Sequence, residues 1–170
     1  MNHSSPVYRL VCIAAMTAIL EVAKFALNAI ANVELISLLV IVFTRKFGWR
    51  MTMPAVFLFA LLECMWWGVS LWTITYFYVW PILAAVTAAV NTDSAVTNSL
   101  ISGIFGLSFG ALCSLVTLVL NGPGAAVAWW IAGIPYDLVH GAANFVLCML
   151  LFHPLMKALS NIEHHTVRSE

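Results

Sequence analysis

The stretch GIPYDLVHGAANF, residues 133–145, sets an Asp, a His and an Asn inside a strongly apolar chain. The chain is 63% hydrophobic and 8% charged, so this polar trio needs a reason. Spacings of three and four bring Asp137, His140 and Asn144 onto one face of a helix. In a bilayer each such group is costly and turns toward a protein interior or a water-filled cavity. Whether that helix lies in a bilayer decides the fold.

The mean hydropathy is +1.00, whereas roughly a quarter of the residues in soluble domains are charged. The composition predicts a polytopic membrane protein. At 170 residues it reads as a single domain, 1–170, with room for about six spans of roughly 20 residues. The first apolar segment, Val7 to Ile30, is too long for a signal-peptide h-region and lacks a cleavage site, so a retained span is expected. Cys12, Cys64, Cys113 and Cys148 fall in different apolar segments without CxxC pairing. They read as small buried hydrophobes, and no metal site is expected. Zero net charge gives no reason to expect a nucleic-acid partner.

Hydropathy marks six segments, at about 7–30, 33–48, 52–68, 72–90, 97–119 and 134–156. Residues 125–132 read as the start of a long sixth helix bent at Pro135, or as an interfacial loop held by Trp129 and Trp130. Arg9, Arg45, Lys46, Arg50, Lys157 and Arg168 fall at the N-terminus, the second-to-third loop and the C-terminus. With six spans these share one side, which the positive-inside rule makes cytoplasmic. The expected fold is an all-α membrane protein, a compact bundle of six transmembrane helices with N- and C-termini cytoplasmic.

On that topology Glu21, Lys24, Glu34, Glu63, Asp137 and His140 all fall in the outer half, leaving Asp93 as the exception beside the cytoplasmic loop. Aromatics gather at the same depth: Trp66, Trp67, Trp72 and Tyr76 flank one short outer loop, and Tyr136 adjoins Asp137. An interfacial aromatic belt would explain single Trp residues. Beside Glu63 the cluster reads better as the wall of a small-molecule pocket, aromatic with a few polar groups. The candidate substrate-binding residues are Glu34, Glu63, Trp66, Trp67, Trp72, Tyr76, Tyr136, Asp137 and His140, with Asn28 and Asn121 from the outer loops. Glu21 and Lys24 read as an i,i+3 pair or as part of this site. Asn144, deeper, is expected to tie helices together. His164 and His165 read as a solvated tail.

Two narrow stripes stand out. Ala14 and Ala18 form a small-xxx-small step on the first helix, and Ser102, Gly106, Gly110 and Ser114 repeat at spacing four on the fifth. Small residues let another helix approach closely, so one stripe is expected to pack within the chain and the other to dock a partner. No GxxxxGK[ST] or HExxH occurs, so no P-loop ATPase or zinc-protease motif lies in the chain.

Together, the AxxxA step, NVELISLLVIVFTRKFG at 32–48, WTITYFYVWPIL at 72–83 and GIPYDLVHGAANF resemble the substrate-binding S components of energy-coupling factor (ECF) transporters, a class of ABC importers. The resemblance spans essentially the whole chain and lies in the combination, since each motif is loose. It implies a multi-pass subunit in a prokaryotic plasma membrane that binds a vitamin near the outer face. It also implies partners, a transmembrane coupling subunit and two cytoplasmic ATPases, with Ala14 and Ala18 as the docking surface for the former. NVEL and PYDLVHG resemble most closely the members for cobalamin and related corrinoids; a queuosine precursor or pantothenate would use similar polar groups. No cofactor is expected, because cobalamin would be cargo.

Other classes leave different traces. A self-sufficient secondary carrier using Glu34, Glu63, Asp137 and His140 as a proton relay would usually show an inverted repeat and polar groups at the midplane. An intramembrane enzyme using Asp137 and His140 as acid and base would need a nucleophile or metal beside them. A purely structural subunit would not gather polar groups at one depth.

Overall fold

The computed structural model describes the backbone of residues 5–168 and the side chains of residues 5–161. His164, His165 and Arg168 therefore lie outside the described side chains. The described chain is all-helical, with α1 (Pro6–Leu27), α2 (Ile36–Phe47), α3 (Trp49–Trp67), α4 (Leu71–Val90), α5 (Ala95–Asn121) and α6 (Pro123–Arg168).

Local chemistry sets the helix ends. The side chains of Ser5, Ser70 and Ser94 accept backbone N–H groups at the starts of α1, α4 and α5, and Ser70 with Thr73 completes a capping box. Gly48 alone joins α2 to α3, and Gly122 alone joins α5 to α6. Both have positive φ, 81° and 84°, which glycine adopts without a Cβ penalty. Residues 125–132 continue α6 rather than forming a loop, with Pro123 in its first turn and Pro135 and Pro154 inside it.

Among the described residues, four helices are long and apolar enough to cross a membrane: α1, α4, α5 and α6, the last over Pro123–Asn161. α3, at 19 residues with Arg50, Glu63 and three Trp, is not among them. α2 has only 12 residues, about 18 Å of helix against a hydrocarbon core of about 30 Å. Every residue from Ile36 to Thr44 is buried, and α2 touches all five other helices. It is the central strut of the core, enclosed by protein and apolar from Leu38 to Phe43.

The fifth-helix stripe packs within the chain. A Cβ at Gly106 would lie 2.8 Å from Gly141 Cα, and one at Gly103 would lie 3.1 Å from Phe145 Cβ. Glycines thus bring α5 and α6 into backbone contact. The first-helix step is the reverse: Ala14, Ala15 and Ala18 are exposed, while Met16, Thr17 and Leu20 turn inward. At the Gly48 end of the bundle, Arg45 grips Asp93 on the α4–α5 connection, Nη2 to Oδ1 at 2.9 Å, which accounts for the one acid that stood apart.

Candidate functional site

At the opposite end the helices part around a cavity of about 490 Å³. α6 contributes one face to it: Trp129, Gly133, Tyr136, Asp137 and His140 recur at helical spacing along the wall. α4 does the same with Trp72, Tyr76 and Trp80, and α5 with Phe109 and Gly110. The α1–α2 connection covers it with Asn28 and with Ile30 through Glu34, where Asn28, Ile30 and Ala31 are exposed. The wall is aromatic, with few polar groups, the composition of a small-molecule site.

Those polar groups are fixed by hydrogen bonds. Glu34, just before α2, accepts the Ser37 N–H at 2.9 Å and the Ser37 hydroxyl at 2.5 Å. His140 Nε2 lies 3.2 Å from Glu34 Oε1, and its ring meets Phe109 edge-on at 4.9 Å. One turn deeper, Asn144 donates to Ser37 Oγ at 3.0 Å. His140, Glu34, Ser37 and Asn144 thus clamp α6 to the start of α2. Asn144→Ala should cost about 1 kcal/mol, with much of that shared with Ser37→Ala in a double-mutant cycle of unfolding in detergent.

Asp137 Oδ1 accepts the Gly110 N–H at 2.9 Å. A Cβ at Gly110 would run into the Asp137 carboxylate and push it out of this bond. The second oxygen, Oδ2, is buried without a partner, as is Trp80 Nε1.

Lys24 does not close on Glu21. Its Nζ donates to the Tyr76 hydroxyl at 2.7 Å and lies 3.9 Å from Glu63 Oε2. Trp72 Nε1 also donates to Tyr76, at 3.2 Å. Lys24 faces the cavity, whereas Glu21 and Glu63 are buried and do not line it.

Of the expected residues, Asn28, Glu34, Trp72, Tyr76, Tyr136, Asp137 and His140 come together around the cavity. Four do not line it. Glu63 lies behind Lys24 in the α1–α3–α4 core. Trp66 and Trp67, 66% and 56% exposed, pack on Phe25 of α1, because α3 at that point has run past the core. Asn121 ends α5, 11 residues beyond the wall residue Gly110 and so about 16 Å further along the axis. Of the two readings open for Lys24 the structure favours membership of the wall, and sequence reasoning left out Trp80, Phe109, Gly110 and Trp129. The i+4 steps from Tyr76 to Trp80 and from Trp129 to Gly133 were the available signal.

Compared with protein-family models, with curated proteins and with solved structures, the chain matches none of them. Its function is argued from this site.

Proposed function

We propose that the chain is the solute-binding subunit of an ECF-type vitamin importer, with all six helices within the bilayer and both termini cytoplasmic. The cavity carries this reading: an aromatic chamber of about 490 Å³ at the end of the bundle away from Arg45 and Asp93. In this arrangement that end faces outward. The exposed Ala14–Ala15–Ala18 face of α1 docks the coupling subunit, and ATPases on other chains supply the energy. As to cargo, the volume suits a compact micronutrient within the usual range of small-molecule pockets. A corrinoid, the cargo the resemblance indicates, would fill it and extend out past the rim at Asn28 and Tyr136.

The experiment is co-purification with a coupling subunit and its ATPases. The wild-type chain should hold the module, and Ala18→Trp should lose it while keeping its own unfolding midpoint, because the side chain points away from the core. Failure of the wild-type chain to associate with any module would reject the reading. A second reading, a self-sufficient proton-coupled carrier, draws on buried carboxylate oxygens of Glu21 and Glu63 that have no hydrogen-bond partner. It requires uptake by this chain alone.

A further inference from the structure

The charge inventory around the cavity is lopsided. Glu34 and Asp137 line it, and Glu63 and Glu21 stand directly behind. Against these four carboxyls the same end offers, among the described residues, Lys24 and the imidazole of His140. Lys24 is already spent on Tyr76 and Glu63. His140 faces Glu34, so even a protonated imidazole is matched within the wall. An acid-rich wall alone would indicate nothing, but two buried groups point to an occupant. Asp137 is 7% exposed with Oδ2 unpartnered, and Trp80 is 3% exposed with Nε1 unpartnered. Both belong to the cavity wall. Buried polar atoms are nearly always satisfied, so an acceptor at Asp137 lacks a donor and a donor at Trp80 lacks an acceptor.

The wall between them is aromatic. Trp80 packs against Phe109 at 5.9 Å and Tyr76 at 5.5 Å, and Trp72 meets Phe109 at 5.7 Å. Aromatic faces attract cations and repel anions, more strongly when water is excluded. We infer that the cavity takes a compact organic cation. Its positively charged N–H group is held by Asp137 and Glu34, its body lies against Trp72, Trp80 and Phe109, and an acceptor atom on it receives the Trp80 N–H. This inference rests on the proposed solute-binding role and names for its cargo a chemical class other than the corrinoid that the resemblance indicates. An anionic vitamin would meet the Asp137 carboxyl, which has no cation beside it, and aromatic faces of the wrong polarity.

The test uses one body with three charges. The purified chain, in nanodiscs of zwitterionic lipid, is titrated calorimetrically with phenethylamine, 2-phenylethanol and 3-phenylpropionate at neutral pH. Phenethylamine should bind saturably and about tenfold tighter than the alcohol, with the carboxylate weakest. Asp137→Asn should abolish the preference at an unchanged unfolding midpoint, and Glu34→Gln serves if that variant does not fold. The inference is overturned if the alcohol or carboxylate binds as well as the amine. It is equally overturned if none of the three saturates, or if the variants keep the preference. Cation preference without association with a coupling module would retain this inference and remove the importer reading. Association with preference for the carboxylate would do the reverse.

Discussion

Gly106→Val will lower the stability of the bundle by about 3 kcal/mol, more than any exposed substitution in the chain. A Cβ at this position meets backbone only: Gly141 Cα at 2.8 Å, Gly141 N at 2.9 Å and His140 C at 3.0 Å. No rotamer change relieves that clash, so α5 and α6 must separate. In a lipid environment their association depends on this close packing, since lipid offers no hydrophobic drive to restore it. The damage extends to the cavity, because the stretch of α6 pushed away carries Asp137 and His140. Gly124→Ala is the control, as a Cβ there meets nothing within 4 Å. Unfolding midpoints of the two variants in detergent or nanodiscs test this. A Gly106→Val protein as stable as the control would show that the α5–α6 crossing is not the contact described.

Lys24→Met should be nearly as costly, at about 3 kcal/mol, because removing one member of a buried charge pair leaves the other uncompensated. Glu63 is 2% exposed and Glu21 9%, so water cannot take over from the ammonium. The Tyr76 hydroxyl loses its donor from Lys24 as well. Most of the loss should return in the double variant Lys24→Met with Glu63→Gln, which removes the stranded charge instead of the cation alone. Chemical unfolding of the wild type, both single variants and the double variant measures the coupling. Additive losses would mean that Lys24 and Glu63 do not depend on each other, despite their 3.9 Å separation.

What the sequence revealed followed from local geometry. The spacing of Asp137, His140 and Asn144 predicts one inward face on α6, and the structure has all three buried there. The glycine stripe on α5 likewise announced a close helix neighbour. What it concealed depended on partners far along the chain. Lys24 has Glu21 three residues away, yet it reaches Tyr76, 52 residues on, because α4 and not the same helix offers the nearest acceptor. An apolar run such as residues 36–44 reads the same whether lipid or protein surrounds it, so α2 resembled a short span and is an enclosed core helix. Trp66 and Trp67 share the face of Glu63 by spacing, but that face leaves the core once α3 outruns its neighbours. The cavity wall at Trp80 and Phe109 exists only because α4 and α5 lie side by side.

The proposed role requires that the cavity hold a small molecule tightly. Native mass spectrometry of the chain, purified from cells grown in rich medium and released gently from detergent, tests that requirement most directly. One bound species of defined mass is predicted on the wild-type protein, absent from Asp137→Asn and Glu34→Gln proteins of unchanged unfolding midpoint. A wild-type protein that emerges empty, or variants that carry the same species to the same extent, would contradict a ligand site between α4, α5 and α6.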